Sequence, residues 1–322
     1  MNKIAILTSG GDSPGMNAAV RAVTRAGIYF GYEVVGIRYG YRGLIKGDFV
    51  DMQSSDVSGI IQRGGTILKT ARSEKFMTQE GRATAAENLK KQGINTLITI
   101  GGDGTFRGAT VIAAEHGIRV VGIPATIDND LIGSDETIGY DTALNTAMEA
   151  IDKIRDTADA HERLFVIEVM GRHAGFIALE TGIASGAELI ILPEAIKNID
   201  EIKESLTKTL KVHKRSTLIV VAEGDETGGA AKICNQLEDD FSDYDMRVCI
   251  LGHVQKGGSP TAHDRVLASR LGYEAVKAIH EGKSEVMVGV INNKCIITPL
   301  QETFGKIKEV NLDLLTMAKV LR

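Results

Sequence analysis

Two aspartates two residues apart, Asp128 and Asp130, follow an apolar run and a proline in the segment PATIDND. One carboxylate of such a pair can accept the proton of an attacking hydroxyl while the other orients magnesium or a neighbouring group. The same spacing also serves Asx-rich turns that cap themselves, so the pair says little alone. It gains weight from two glycine-rich segments upstream. In SGGDSPG, residues 9–15, small residues let successive backbone N–H groups point into one concavity, and the next helix start adds a dipole that favours phosphate. In GGDGTF, residues 101–106, Asp103 stands among glycines, where its carboxylate could reach a magnesium ion bridging phosphates. Gly102 and Gly104 leave room for a nucleotide, and Thr105 sits near the following helix start. Neither segment is the lysine-bearing phosphate loop or the six-residue dinucleotide fingerprint.

Phosphoryl transfer spreads charge over the moving group, and positioned cations stabilise it. Arg72 in KTARSEK, Arg163, Arg172 with His173 in MGRHAG, Arg247, and His253 with Lys256 in GHVQKGG all fall near predicted strand ends. Each alone reads as a solvated surface group; as a set they suit a substrate that carries its own phosphate. Glu223 can hydrogen-bond a sugar hydroxyl or be a turn carboxylate with no role.

Elements must hold these loops. Apolar, strand-like runs occur at 4–8, 33–38, 95–100, 119–123, 163–169, 188–192, 217–222, 247–251 and 286–291. Helical spacing occurs at 16–30, 83–91, 105–115, 142–158, 174–185, 199–212 and 262–280. Alternation of this kind predicts an α/β protein whose mainly parallel sheets are covered on both faces. Such sheets bind ligands beyond the carboxyl ends of their strands, which is where the informative loops fall.

The chain of 322 residues allows one large or two medium domains, with 43% apolar and 25% charged residues. Glycine is abundant, at 36 residues, as expected where backbone must approach a bulky anion. The formal charge of -5 carries no clustered basic footprint, which argues against nucleic acid. Cys234, Cys249 and Cys295 have no metal-ligand spacing and fit a reduced cytoplasmic protein. No signal-peptide layout opens the sequence, and no apolar run reaches the ~18 residues of a membrane helix.

Taken together, LTSGGDSPGMNAA, IGGDGT, PATIDND, IGYDTA, EVMGRHAG, LGHVQKGGSP and DRVLASRLG run in order through essentially the whole chain. This series resembles the bacterial-type ATP-dependent 6-phosphofructokinases. The resemblance implies transfer of the ATP γ-phosphoryl to the 1-hydroxyl of fructose 6-phosphate, the committed step of glycolysis, with Mg2+. It implies Asp128 as the base, with Gly11, Arg72 and Thr126 stabilising the moving phosphoryl, and Asp103 and Asp130 managing magnesium. ATP would meet Gly11, Tyr41, Arg72, Gly102, Asp103, Gly104, Thr105 and Gly108. The sugar phosphate would meet Thr126, Asp128, Asp130, Met170, Gly171, Arg172, Glu223, His253 and Lys256, with Arg163 and Arg247 reaching in from a neighbouring subunit.

The family fold implied is two three-layer α/β/α domains with the active site in the interdomain cleft. Residues 1–138 and 251–301 would bind ATP, and 139–250 with 302–322 would bind fructose 6-phosphate. The assembly implied is a cytoplasmic homotetramer, a dimer of dimers with shared active sites. Lys256 departs from the family, whose members commonly carry an arginine there; lysine keeps the charge but loses the bidentate fork. An effector site for ADP or phosphoenolpyruvate is matched by Arg21, Arg25, Arg155, Gly186, Glu188 and Lys214. Ser54, Gly59 and Val212 do not match it, so a phosphorylated effector should bind more weakly. The pyrophosphate-using branch typically carries an acidic residue at position 104 and a lysine at 125, against Gly104 and Ala125 here. Lipid and NAD kinases share GGDGT but not the later motifs, and a catalytically dead sensor would be expected to lack Asp128 or Asp103.

Overall fold

The structure is a computed structural model that describes residues 2–195, 198–212, 216–224 and 228–321. The chain divides into two compact units, Met1–Thr142 with Lys256–Lys308, and Ala143–Gln255 with Glu309–Arg322. In chain order the strands are β1 (Lys3–Thr8), β2 (Glu33–Ile37), β3 (Phe49–Met52), β4 (Ile94–Gly101), β5 (Arg119–Pro124), β6 (Leu164–Val169), β7 (Leu189–Ile191), β8 (Thr217–Ala222), β9 (Met246–Ile250), β10 (Val286–Ile291) and β11 (Lys294–Pro299). The helices are α1 (Met16–Tyr29), α2 (Gly40–Lys46), α3 (Gln79–Lys91), α4 (Asp103–His116), α5 (Tyr140–His161), α6 (Phe176–Ala184), α7 (Ile199–Val212), α8 (Gly229–Leu237), α9 (Ala262–His280) and α10 (Leu312–Leu321).

The first unit is built on a seven-stranded sheet in the order β11-β10-β5-β4-β1-β2-β3. Its interior strands pair in parallel, while β3 and β11 close the two edges antiparallel. Runs such as KIAILT and LITIG are buried on both faces, the signature of a covered parallel sheet. On one face Ile6, Ile98 and Val121 pack with Met16, Val20, Leu267 and Leu271 of α1 and α9. On the other, Leu7, Leu97 and Val120 pack with Leu89, Phe106 and Ile112 of α3 and α4. Because β1 lies between β2 and β4, the connections after β1 and β4 leave in opposite directions and open a crevice at the carboxyl ends.

The second unit carries a four-stranded parallel sheet, β7-β8-β6-β9. Leu164, Val166, Ile219 and Val221 pack against Ile202 and Leu206 of α7 and Ile233 and Leu237 of α8. β9 is an edge strand, and Val248 and Ile250 on it are exposed.

Five elements lie outside the sequence expectations: α2, β3, α8, β11 and α10. The segment of α2 has two glycines in seven residues, and β3 and β11 are half-exposed edge strands. None carries a long apolar period. Helix α3 begins at Gln79, four residues before its expected start, because the Thr78 hydroxyl accepts from the Gly81 N–H and caps it.

Candidate active site

Three loops meet at the carboxyl edge of the first unit's sheet. The Ser9 N–H donates to Ile100 O at 3.0 Å, the Thr105 hydroxyl donates to Ser9 O at 3.0 Å, and the Ala125 N–H donates to Gly101 O at 3.0 Å. The loops after β1, β4 and β5 are therefore stitched side by side. Gly101 is required at their junction: a Cβ there would lie 2.5 Å from Ser9 O and 2.3 Å from Thr105 Oγ1. The irregular segment 66–72, which turns at Thr66–Lys69, follows none of these loops but runs beside the first. Thr8 Oγ1 donates to Lys69 O at 3.0 Å and Thr70 Oγ1 to Gly10 O at 2.5 Å, which brings exposed Arg72 two residues beyond the phosphate loop.

Tyr41 and Gly108 form the wall behind Thr105. The Tyr41 ring stacks on Phe76 with centroids 4.0 Å apart, and its buried hydroxyl donates to Thr105 O at 2.5 Å. Burial pushes that phenol far above its ordinary range, so it stays a donor. Gly108 lies against the ring, where a Cβ would be 2.9 Å from Tyr41 Cε2. Gly104 differs: a Cβ built on it meets nothing within 4 Å, so packing does not demand glycine there. Lys256, in the same unit, extends over the phosphate loop, its Nζ 2.9 Å from where a Gly11 Cβ would stand.

Asp103 opens α4 and is held by Arg107 one turn on, Nε to Oδ1 at 2.5 Å, with its side chain 39% exposed. Magnesium takes one or two protein carboxylates and completes its shell with water and phosphate oxygens. A half-exposed carboxylate beside a phosphate loop fits that requirement, and three-residue cages of His, Cys, Asp or Glu do not occur among the described residues.

Asp128 is 5% exposed and sits in a fixed loop. Its N–H donates to Thr126 Oγ1 at 3.2 Å, and the Thr137 hydroxyl donates to Thr126 O at 2.6 Å. Between the two aspartates, Asn129 holds the left-handed φ of 53° and is buried. The sequence signal for this bend is the residue type, since asparagine tolerates that conformation best after glycine.

In the second unit, Met170, Gly171, Arg172 and Glu223 gather at the carboxyl ends of β6 and β8. The Glu223 N–H donates to Val169 O at 2.7 Å, and the Met170 N–H donates to Gln255 Oε1 at 3.2 Å. Gly224, at φ 79°, touches the loop: a Cβ on it would lie 2.0 Å from Arg172 O. Arg172 itself adopts a positive φ of 55°. His253 is exposed in a 3-10 turn just after β9, the neighbour of β6.

Arg163 and Arg247 are not brought to this edge. Both bind one carboxylate, Asp245: Arg163 Nε at 2.7 Å and Arg247 at 2.9 Å. The two arginines, chiefly Arg163 through its hydrogen bond, hold Asp245 below the usual carboxylate range. Arg163 precedes β6 and Arg247 pairs with Phe165, so they stand near the amino ends, roughly 23 Å and roughly 16 Å respectively along the strand from Met170. Asp245, just before β9, was missed in the sequence, where the signal was an acid two residues from Arg247.

Of the effector positions, Arg155, Gly186 and Glu188 come together. Arg155 donates to Ser185 O and Gly186 O, each at 2.9 Å, and pairs with Glu188 at 3.4 Å. Arg21 and Arg25 share a face of α1, and burial together with repulsion from Arg25 lowers Arg21. Lys214 lies outside the described residues.

Residues 3–279 match the Phosphofructokinase family. This chain belongs to that family. It is 54% identical over its full length to ATP-dependent 6-phosphofructokinase 1 of Thermus thermophilus, covering 99% of that protein. It is 52% identical to ATP-dependent 6-phosphofructokinase 2 of Bacteroides thetaiotaomicron, over 99% of this chain and 98% of that one. Among solved phosphofructokinases, the Saccharomyces cerevisiae structure superposes with a TM-score of 0.87 at 40% identity, over 99% of this chain. The present chain spans 46% of that yeast chain, so it corresponds to about half of it. A pyrophosphate-dependent phosphofructokinase from Marinobacter aquaeolei superposes at TM-score 0.84 with 22% identity, over 97% of this chain and 86% of that one, a likeness of fold alone. The resemblance carried by the motifs is thus confirmed, and the phosphofructokinase fold with it. No helix among the described residues is long and apolar enough to cross a membrane.

Proposed function

We propose that this phosphofructokinase family member transfers the γ-phosphoryl of ATP to the 1-hydroxyl of fructose 6-phosphate, giving fructose 1,6-bisphosphate and ADP, in the cytoplasm. The observation that carries this reading is the stitching of three loops, SGGDSPG, GGDGTF and PATIDND, at the switch point of one sheet. In this reading Asp128 removes the proton of the 1-hydroxyl as that oxygen bonds to the γ-phosphorus and the bond to ADP breaks. The buried, braced loop holds the base at a set position, which is what proton transfer requires. The Gly11 N–H, Arg72 and Thr126 stabilise charge on the moving phosphoryl, and Lys256 adds a cation over Gly11. Mg2+, when bound by Asp103 and Asp130 with the phosphates, neutralises developing negative charge.

The first unit supplies the nucleotide contacts, including Tyr41 and Gly108 behind Gly102–Thr105. Met170, Gly171, Arg172, Glu223 and His253 of the second read the sugar phosphate. Arg163 and Arg247, aligned on Asp245 at the far ends of their strands, serve the sugar phosphate of a second copy, in a homotetramer built as a dimer of dimers. The donor is ATP because Gly104 leaves open space where the pyrophosphate-using branch carries an acid, and Ala125 is buried among apolar side chains. An effector of the ADP or phosphoenolpyruvate type binds weakly, since Arg155 is already committed to Glu188 and backbone carbonyls.

The test follows fructose 1,6-bisphosphate formation with ATP and with pyrophosphate as separate donors, in magnesium. Product from ATP, and a loss of several orders of magnitude in Asp128→Ala, is the expected result. Product from pyrophosphate alone would overturn the donor, and none from either would overturn the activity.

A further inference from the structure

Lys308 stands at the end of the first unit, on the irregular segment before α10. Its ammonium donates to Asn129 Oδ1 at 3.0 Å and to Asp135 O at 2.8 Å. Asn129 is the residue between the two aspartates. Its amide N–H also donates to Asp135 O at 3.0 Å, so one carbonyl accepts from both. Asp135 is in turn anchored to the β10–β11 hairpin. Its N–H donates to Val290 O at 2.7 Å, and its carboxylate accepts from the Asn292 N–H at 2.7 Å. The buried asparagine thus holds a left-handed backbone of φ 53° inside a set of bonds in which Lys308 is a charged donor, and the Thr137 hydroxyl also reaches Asn129 Oδ1 at 3.4 Å.

The geometry has a direct consequence. A change of φ at Asn129 would swing the peptides on both sides and re-aim Asp128 and Asp130 together. Left-handed backbone is costly for a residue with a side chain unless its surroundings hold it. A lysine binds by three rotatable donors on a flexible stem, and two of those donors are used here on the same loop. Hydrogen bonds with one ionised partner are roughly twice as strong as neutral ones.

We propose that Lys308 is a positioning residue for the reaction: through Asn129 it holds the Asp128–Asp130 loop in the conformation that aims the base at the acceptor hydroxyl. This rests on reading Asp128 as the base, which Asp128→Ala tests separately. Lys308 touches neither substrate in this scheme and acts only through the loop.

The experiment is steady-state kinetics with ATP, fructose 6-phosphate and magnesium on wild type, Lys308→Met, Lys308→Arg and, as a control, Lys306→Met, whose side chain is exposed two residues away. Misplacing a reacting group by about 1 Å costs on the order of a hundredfold. Lys308→Met is therefore expected to lower kcat by about ten- to a hundredfold while KM for ATP stays within about twofold. Lys308→Arg should recover most of the loss, and Lys306→Met should match wild type. A wild-type kcat in Lys308→Met, or an arginine variant no better than the methionine one, would overturn the proposal. Asn129→Gly keeps the backbone angle accessible but removes the acceptor, so it should lower kcat by a similar factor. Adding Lys308→Met to it should then cost little more, because one linkage is already broken. Two losses that simply multiply would overturn the linkage. Should Lys308→Met not fold, Asn129→Gly alone decides, a wild-type kcat there counting against it. An inactive wild type would instead indict the proposed function.

Discussion

At the scale of single residues, the site contains glycines kept for two different reasons. Gly101 is enforced by packing, since a side chain would strike Ser9 and Thr105. Gly104 is not, since a Cβ there meets no atom within 4 Å. Gly104→Asp should therefore leave the melting temperature within a degree or two while lowering kcat/KM for ATP at least about tenfold, as introduced bulk and charge oppose the nucleotide phosphates. Differential scanning fluorimetry beside donor kinetics checks both halves. Asp245 offers a second case. It aligns Arg163 and Arg247 on one carboxylate, so Asp245→Ala frees both guanidiniums. KM for fructose 6-phosphate should rise about three- to tenfold with kcat nearly unchanged, the pattern of lost uniform binding. A fall in kcat at constant KM would show instead that the arginines act on the transition state.

At the scale of elements, the start of α5 is capped from a distant part of the chain. The buried Asp264 of α9 accepts from the Gly139 N–H at 2.7 Å, the Thr142 N–H at 2.8 Å and the Thr142 hydroxyl at 2.5 Å. Burial raises its carboxyl above the usual range even though those three bonds pull it down. Asp264→Asn keeps the shape but can accept through only one oxygen, leaving a donor against its amide. It should cost about 1–3 kcal/mol, read as a lower urea midpoint at an unchanged slope. Beside it, His263 meets Glu136 at 2.5 Å. Burial alone would lower this imidazole, but the hydrogen bond and charge of Glu136, with Asp141 and Asp264 nearby, hold it above its ordinary value. A raised folded value contributes stability that is fully present below the unfolded pKa of about 6.5 and lost as pH rises through the folded one. The melting-temperature gap between wild type and His263→Gln should accordingly be larger at pH 5.5 than at pH 8.5. An equal gap at both would remove the pair from the pH dependence.

At the scale of the whole molecule, the second unit poses a question that one chain does not answer. Met170, Arg172 and Glu223 stand beyond the carboxyl ends of β6 and β8, while Arg163 and Arg247 stand near the amino ends of β6 and β9. A rigid parallel sheet cannot bring opposite ends to one small ligand. If a second copy supplies the arginines, Arg247→Ala and Asp128→Ala should each be nearly inactive alone. Co-expressed, they should recover activity in about a quarter of the sites, those that draw each intact residue from a different chain. Purification of hybrids by separate tags and assay of each checks this, and hybrids as inactive as the parents would place a complete site in every chain.

Much of this was legible in the sequence. The apolar runs of β1, β4, β5, β6, β8 and β10 announced themselves because strands buried on both faces are almost wholly apolar. The glycine–aspartate loops were legible because phosphate chemistry leaves small residues and acids side by side. Edge strands β3 and β11 and the helices α2, α8 and α10 were not, because the strands are half-exposed and the helices, at 7, 9 and 10 residues, are too short to show a sustained period. The same division holds within the site. Residue types alone pointed to Asp128, Asp103 and the flanking cations, since their chemistry is intrinsic to the side chains. Only the folded chain showed that Asn129 holds a left-handed bend, that Asp245 joins two arginines, that Tyr41 braces Thr105, and that Lys308 reaches the base loop from 179 positions away. Those relations depend on which distant segments the sheets bring within hydrogen-bond distance, and no local spacing encodes a contact across such a separation.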